Sequence, residues 1–119
     1  MATVDDVRRI ALGLPEAEEV LTWGTDVTFR VGGKIFAITG EGADRVSIKA
    51  TPTTQAELIE LDPATYEYAA YVGRFGWVVV VLDRVDAGRL EGLLGDAWQL
   101  TAPKRLVASH EATGTDVRP

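Results

Sequence analysis

The apolar run Trp77–Leu82 restricts the fold more than any other feature, because it contains four consecutive valines. Valine is branched at Cβ and favours extended backbone, and six residues are too few for a helix of ordinary length. The run therefore predicts a central strand of a sheet, buried on both faces. It is also the longest apolar run of the chain, and a membrane-spanning helix needs ~20 such residues.

A meander of three antiparallel strands is predicted upstream of this run. Apolar and polar residues alternate there, and Gly32-Gly33 provides the two positive φ angles that a two-residue hairpin turn requires. Residues 16–26 are polar and are expected to be irregular, whereas residues 62–75 are rich in tyrosine and glycine and no strand is predicted there. The predicted meander strands cover residues 27–31, 34–38 and 45–50.

Two helices are predicted before the apolar run. Thr3 is a favourable N-cap, and apolar residues at helical spacing predict a first helix over residues 3–13. Pro52 is expected to break the chain. Thr54 and Glu57 have the spacing of a capping box, in which each side chain satisfies a free backbone donor of the other. They predict a second, short helix that ends before Pro63.

Helical segments also follow the apolar run. Asp86 is a suitable N-cap, and Leu90, Leu94 and Trp98 then lie on one helix face. We therefore expect Trp98 to belong to the core. Pro103 suits the first turn of a further helical segment through Leu106 and Val107, and the residues beyond are polar.

The element order is α-β-β-β-α-β-α, with a further short helix at the end, and it predicts a single α+β domain. Helices are expected to pack on one face of an antiparallel sheet. The 119 residues, 46% of them hydrophobic, match one ordinary globular domain. The domain is expected over residues 1–108, and residues 109–119 are predicted to form a flexible C-terminal tail.

The residue inventory excludes several kinds of chemistry. The chain has no cysteine, which excludes disulfides, thiolate catalysis and cysteine-ligated metals. Its one histidine, His110, lies in the predicted tail. Its two serines, Ser47 and Ser109, do not occupy the strand-to-helix turn of a nucleophilic serine. We therefore expect a non-catalytic protein with no cofactor and no metal site.

The charge balance makes nucleic-acid binding depend on a local patch. Eighteen acidic residues face twelve Lys and Arg residues, for a net charge of −6. The overall field of such a chain does not attract DNA or an anionic membrane. Basic residues on the predicted hairpins could contact phosphates, while nearby aromatic side chains stack on bases. In the alternative interpretation they are solvated charges paired with carboxylates. The candidate DNA-contacting residues are Arg30, Lys34, Arg45, Lys49, Arg74, Lys104 and Arg105.

A second candidate site is aromatic. Trp23 stands before a glycine in an irregular segment, and Tyr71 lies close in sequence to Arg74. Aromatic residues and arginine are enriched at binding hot spots, which favours a module that binds a protein or a small molecule in a groove. The alternative is that the tyrosines only seal the edge of the core.

Three motifs resemble those of the MmcQ/YjbR family. The first is Thr22-Trp23-Gly24, followed by Phe-Arg-Val-Gly-Gly-Lys-Ile-Phe-Ala over residues 29–37. The second is Gly-Arg-Phe-Gly-Trp over residues 73–77. The third is Ala-Trp-Gln-Leu at 97–100 with Ala-Pro-Lys-Arg-Leu at 102–106. The likeness covers residues 3–107 in the family's order. It departs at Thr25-Asp26, where many members have a proline after the Trp-Gly pair.

The resemblance implies a fold similar to the CyaY/frataxin-like arrangement and a DNA-binding role in which hairpins act as a pair of wings. It implies no enzyme activity. The expected partner is double-stranded DNA, with a protein partner as the alternative, and the expected state is a cytoplasmic monomer. Iron binding is not carried over, because Asp5 and Asp6 of the first helix are followed by Arg8 and Arg9.

Overall fold

A computed structural model of the chain describes residues 1–22 and 24–116, with side chains described as far as residue 110. These residues form an antiparallel sheet and a set of helices. The helices are α1 (Val4–Leu12), α2 (Pro52–Leu61), α3 (Ala87–Thr101) and α4 (Lys104–Asp116). The strands are β1 (Glu18–Thr22), β2 (Asp26–Val31), β3 (Lys34–Gly40), β4 (Arg45–Ile48), β5 (Tyr66–Tyr68) and β6 (Val78–Val81).

The sheet has the order β1-β2-β3-β4-β6-β5, and all its neighbouring strands are antiparallel. The α+β class and the three-stranded meander are confirmed. The apolar run forms the internal strand β6, but burial on both faces is wrong. Val78 and Val80 are fully buried under the helices, whereas Val79 and Val81 are only half-buried on the other face. The reason is that α1, α2 and α3 all pack on the same side of the sheet.

Strands β1 and β5 correct the predicted element order, since β1 lies in the segment expected to be irregular and no strand is predicted where β5 lies. They form the two edges of the sheet. The residues of β1 are exposed or half-buried throughout, and β5 has only three residues. An edge strand pairs on one side only and buries little apolar surface. It therefore carries no alternating pattern that a sequence can reveal.

The start of α2 also differs from its prediction. The helix begins at Pro52, and Thr51 is its N-cap, whose hydroxyl accepts a hydrogen bond from the backbone N–H of Thr54 at 3.1 Å. Pro52 thus starts the helix rather than breaking the chain, because the first helical position needs no N–H donor. The capping box predicted at Thr54 and Glu57 is wrong, whereas the Thr3 cap of α1 and the Asp86 cap of α3 are confirmed.

Helix α4 continues to Asp116, beyond the point where a flexible tail is predicted. Its Leu106 side chain is buried in the core. Its His110 ring makes an edge contact with Trp98 of α3, with the two ring centroids 5.1 Å apart. These contacts give the helix an apolar support that its polar sequence does not show. Residues 117–119 of the predicted tail lie outside the described residues.

The core lies between the sheet and the helices, and Trp98 is at its centre. The side chain is fully buried, and its indole N–H donates to the carbonyl oxygen of Pro15 at 3.0 Å. Leu90 and Leu94 of the same helix face are also fully buried. The prediction that this face of α3 belongs to the core is therefore confirmed.

Candidate nucleic-acid interface

The register of the sheet defines two ends of the molecule. Glu18 pairs with Arg30, and Ile48 pairs with Val78, so the start of β1, the β2–β3 hairpin, the end of β4 and the β5–β6 connection lie at one end. We call this the hairpin end. The β1–β2 turn, the β3–β4 turn and the end of β6 lie at the other end, which we call the turn end.

Six of the seven candidate basic residues lie at the hairpin end. Arg30, Lys34 and Lys49 lie at strand ends there, and Arg74 lies in the connection that leads into β6. Lys104 and Arg105 begin α4. The preceding Pro103 packs against the hairpin, because a Cβ placed on Gly32 would lie 3.2 Å from its ring. The sequence alone does not reveal this grouping, since the six residues span 76 positions of the chain.

Arg45 is the candidate that the structure separates from the others. It begins β4 and therefore lies at the turn end. Its guanidinium bonds Glu67 at 3.1 Å and Asp44 at 3.0 Å, and these two carboxylates raise the pKa of Arg45. Arg45 is therefore a paired surface charge, as the alternative interpretation of the basic residues expects.

A β-bulge shapes the hairpin beside Arg30. The pairing of β2 with β3 shifts between Phe29, which faces Ala37, and Arg30, which faces Ile35. Phe36 is the extra residue, and both Phe36 and Ala37 are fully buried. A bulge bends the strand and increases its twist, so it tilts the hairpin tip relative to the rest of the sheet.

Two hydroxyl groups position Arg30 without neutralising it. Alternation from buried Phe29 places Arg30 on the sheet face opposite the helices. There its Nε donates to Thr28 Oγ1 at 3.1 Å, and one terminal nitrogen donates to Thr22 Oγ1 at 3.2 Å. Lys49 follows buried Ile48 and lies on the same face by the same alternation.

The pairing of the basic residues differs between the two ends. Away from the hairpin end, Arg8, Arg9, Arg45 and Arg84 form ion pairs. Arg8 bonds Glu19, Glu41 and Asp5, and the first two raise its pKa. At the hairpin end, Arg105 and Glu16 are 3.8 Å apart and both largely exposed. Within the described side chains, no carboxylate lies within 4.0 Å of the cationic nitrogens of Arg30, Lys34, Lys49, Arg74 and Lys104.

The carboxylates show the opposite distribution. Glu16, Glu18 and Asp96 lie toward the hairpin end. A larger group surrounds the turn end, where it flanks the β3–β4 turn, the end of β6 and the first residues of α1 and α3. Its members are Asp5, Asp26, Glu41, Asp44, Asp62, Asp83 and Asp86. Of the carboxylates placed here at the two ends of the sheet, more therefore lie at the turn end than beside the five cations.

Of the two residues of the predicted aromatic groove, the structure describes Tyr71. The Tyr71 side chain is 95% exposed and lines none of the described cavities, and Trp23 lies outside the described residues. A shallow groove of about 340 Å³ does lie nearby, between α2, α3 and α4. Its lining residues are Ala50, Thr51, Thr54, Asp96, Gln99, Leu100 and Val107.

Two carboxylates away from the hairpin end, Asp6 and Asp62, are more acidic than usual. The backbone N–H of Thr3 and the side chain of Arg9 lower the pKa of Asp6, and the hydroxyl of Thr65 lowers the pKa of Asp62. Both groups serve local structure. Within the described residues, no group of three or more acidic or histidine side chains is arranged to hold a metal ion. None of the helices described is long and apolar enough to cross a bilayer.

The arrangement of the elements places this protein in the class of small α+β proteins that have helices on one face of an antiparallel sheet. The chain belongs to the YjbR family, whose model matches residues 12–100. This family membership confirms the resemblance found in the sequence motifs.

Individual relatives support the same assignment. The chain is 30% identical to the uncharacterized protein Rv2570 of Mycobacterium tuberculosis and to the uncharacterized protein Mb2600 of Mycobacterium bovis, covering 94% of this chain and 98% of each relative. The crystal structure of the Deinococcus radiodurans protein DR2400, with a DUF419 domain, is similar at a TM-score of 0.76 and 30% identity. That match covers 84% of this chain and 78% of the other.

Proposed function

We propose that this protein binds DNA through its hairpin end, without catalysing a reaction. The observation that carries the proposal is a group of five cations at one end of the sheet that have no carboxylate partner among the described side chains: Arg30, Lys34, Lys49, Arg74 and Lys104. The described arginines elsewhere are paired with carboxylates or, for Arg89, bonded to the Tyr66 hydroxyl. Cations that are left unpaired in a protein with excess acid are available for an external anion.

Phosphate groups are the anions that suit this arrangement. The planar guanidinium of Arg30 can form two parallel hydrogen bonds with one phosphate, and the lysines act as mobile point charges. Each neutralised phosphate releases condensed counterions and strengthens binding at low salt. No base-reading side chain is assigned, so the proposed contacts fix position and affinity rather than sequence.

The net charge of −6 does not prevent such binding, because the charges are separated. Strand β3 has seven residues and separates the two ends by about 20 Å. At physiological ionic strength the Debye length is about 8 Å, so the carboxylates of the turn end are largely screened from a ligand at the hairpin end. We therefore expect measurable binding in spite of the acidic composition.

The test is a titration of a fluorescent 20-base-pair duplex with the full chain at several salt concentrations. The double variant Lys34→Gln/Lys49→Gln should bind more weakly, and its log–log salt slope should fall by about 0.9 for each phosphate that the variant no longer neutralises. The matched control is Arg9→Gln/Arg45→Gln, which changes the net charge equally but removes paired cations outside the hairpin end.

Two results would contradict the proposal. One is an absence of duplex binding at low salt and high micromolar protein. The other is equal weakening in the test and control variants, which would mean that overall charge rather than the hairpin end determines the affinity. Circular dichroism of all variants shows whether the fold is retained.

A protein-binding module is the second candidate function. The observation that favours it is the exposure of Tyr71 and Phe75 beside Arg74, since aromatic residues and arginine are enriched at protein interfaces. In this case, binding to a partner protein would depend on Tyr71 and Phe75 and would persist in the Lys34→Gln/Lys49→Gln variant.

A further inference from the structure

The connection between β5 and β6 exposes an unusual amount of aromatic surface. Tyr68, Tyr71 and Phe75 are 60%, 95% and 59% exposed, and they are the exposed tyrosine and phenylalanine residues of the described part of the chain. Three such side chains within eight residues form a patch rather than scattered exposure, and patches of this kind mark binding sites. We call residues 68–76 the aromatic loop.

The backbone of this loop is fixed from below by Gln55. The Gln55 side chain is buried, and its amide nitrogen donates to the carbonyl oxygens of Gly73 and Trp77, each at 2.7 Å. Backbone hydrogen bonds within the loop add to this support, including Gly73 N–H to Ala69 O at 3.0 Å and Gly76 N–H to Gly73 O at 2.9 Å. The exposed rings therefore project from a firmly held base.

Two glycines allow the close packing of this base. Gly76 has φ of +104°, and a Cβ there would collide with the carbonyl oxygen of Ala50. Gly73 lies against the ring of Tyr68, which a Cβ would overlap. The loop is therefore packed against residues 50–52, which connect β4 to α2 and follow Lys49 directly in the chain.

Tyr71 has an uncommon backbone conformation for a residue with a side chain. Its φ is +62°, a region that side-chain-bearing residues rarely adopt, and its ring is almost completely in solvent. Strain of this kind persists where the surroundings impose it, and it is concentrated at functional sites. Here the strained residue holds an aromatic ring outward at the hairpin end.

Arg74 adds a cation to the aromatic surface. Its guanidinium carbon lies 4.7 Å from the centroid of the Phe75 ring, which is a cation–π arrangement. The aromatic loop thus combines flat rings, a planar cation and the neighbouring Lys49. Arg30 lies three strand spacings away, about 14 Å, along the same end of the sheet.

We propose that the aromatic loop is a stacking platform for unpaired bases, so that the hairpin end prefers single-stranded DNA to duplex. This inference rests on the proposed DNA binding at the same end. Base faces are covered by their neighbours in a duplex and become available in a single strand. Tyr71 and Phe75 stack on successive bases, while Arg74 and Lys49 contact the adjoining phosphates. Proteins that bind single strands without sequence preference combine these same two elements.

The experiment compares three fluorescent ligands of equal length at one salt concentration: oligo(dT), a duplex, and a single strand of abasic sites. We expect oligo(dT) to bind more tightly than the other two. Tyr71→Ala and Phe75→Ala should each weaken oligo(dT) binding by about 5-fold to 100-fold, because stacking on an aromatic side chain contributes that much per base. They should leave duplex binding nearly unchanged.

Two controls separate stacking from other effects. Tyr71→Phe keeps the ring and should retain oligo(dT) binding. Leu61→Ala removes another exposed apolar side chain, 72% exposed and distant in the fold at the end of α2, and should have no effect. Thermal unfolding of each variant shows whether weaker binding reflects a loss of structure.

The outcomes distinguish this inference from the proposed function. If oligo(dT) and the abasic strand bind equally, or if Tyr71→Ala and Phe75→Ala leave oligo(dT) binding unchanged, the stacking platform is overturned. The proposed DNA binding then still stands, provided that the lysine variants weaken the duplex complex. If no ligand binds at low salt, the proposed function is overturned, and this inference with it.

Discussion

The indole of Trp98 connects three parts of the chain that are far apart in sequence. It fills the core beneath the sheet, donates a hydrogen bond to Pro15 in the segment between α1 and β1, and contacts His110 of α4. A side chain with this set of contacts contributes both apolar burial and a directional bond. The role of Trp98 is structural, whereas the Tyr71 ring lies almost completely in solvent and fills no part of the core.

We predict that Trp98→Ala lowers the free energy of unfolding by about 3–5 kcal/mol, through the reduced burial and the remaining cavity. The carbonyl of Pro15 is also deprived of its donor. Since domains are stable by only about 5–15 kcal/mol, the melting temperature should fall sharply or the chain should not fold. Circular dichroism during heating measures this.

Two controls accompany the Trp98 variant. Trp98→Phe keeps most of the volume and should have a smaller effect. Arg74→Ala and Lys34→Ala, both exposed, should change stability by only about 0.5 kcal/mol. A Trp98→Ala protein that melts like the parent would contradict the placement of α3 in the core.

At the scale of elements, the turns and caps are held by a few specific groups. The capping box of α1 joins Thr3 N–H to Asp6 Oδ2 at 2.9 Å and Asp6 N–H to Thr3 Oγ1 at 3.3 Å. The connection into β6 depends on Gly76 and its close approach to the backbone of Ala50 and Thr51. Each feature leads to its own prediction.

The stability of α1 should decrease in acid. The folded-state pKa of Asp6 is below its usual value of 3.8, so the ionised form stabilises the folded state. This contribution is fully present well above pH 3.8 and is lost as the pH falls from that value through the folded pKa. Asp6→Asn should therefore show a smaller loss of stability between pH 5 and pH 2 than the parent, measured by urea unfolding at each pH. If the parent and Asp6→Asn lost the same free energy of unfolding between pH 5 and pH 2, the stabilising role of the Asp6 carboxylate would be refuted.

Gly76→Ala should destabilise the protein by at least about 2 kcal/mol. The new Cβ would meet the backbone of Ala50 and Thr51, and a φ of +104° is unfavourable for any residue with a side chain. Gly92→Ala is the matched control, because a Cβ there meets nothing within 4 Å in an exposed part of α3. The control should gain about 0.5–1 kcal/mol, since alanine is the better helix former. Chemical denaturation measures the stability of both variants. If Gly76→Ala and Gly92→Ala were equally stable, the placement of the connection into β6 would be wrong.

At the scale of the whole molecule, one core joins the helices to the sheet. The backbone N–H of Ala2 bonds the carbonyl of Leu82 at 3.0 Å, which ties the N-terminus to the end of β6, and Trp98 ties α3 to α4. The charges, in contrast, are divided between two ends. The protein thus has a single core, whereas its unpaired basic side chains and most of the carboxylates named above lie at opposite ends of the sheet.

A single core predicts a single unfolding transition. Tryptophan fluorescence and far-ultraviolet circular dichroism should give coincident curves, because small domains with one core unfold as a unit. The heat capacity of unfolding should be about 1.6 kcal/mol/K for a chain of this length. Separate midpoints for the two signals, or two calorimetric peaks, would show that part of the fold is independent of the core.

The elements with strong local patterns were predictable from the sequence. Three local patterns each predicted the backbone conformation of their own segment, because apolar periodicity follows the geometry of a single element. They are the leucine spacing of α3, the valine run of β6 and the Gly32-Gly33 turn. The family motifs overlap these same segments, which is why the family could be identified from them. The cap of α2 was misplaced by three residues, because Pro52 was expected to break the chain and instead begins the helix directly after its cap, Thr51.

What the tertiary structure alone decided depends on contacts between distant residues. The edge strands β1 and β5 exist because β2 and β6 present unpaired backbone groups to them, and no apolar pattern of their own is required. The sheet register places Lys49 and Arg74 at the hairpin end and Arg45 at the turn end. The loop that carries Tyr71 is held by Gln55, which bonds the carbonyl oxygen of Gly73 across 18 residues of sequence. A sequence contains the charges and rings, but only strand order and long-range hydrogen bonds place them side by side.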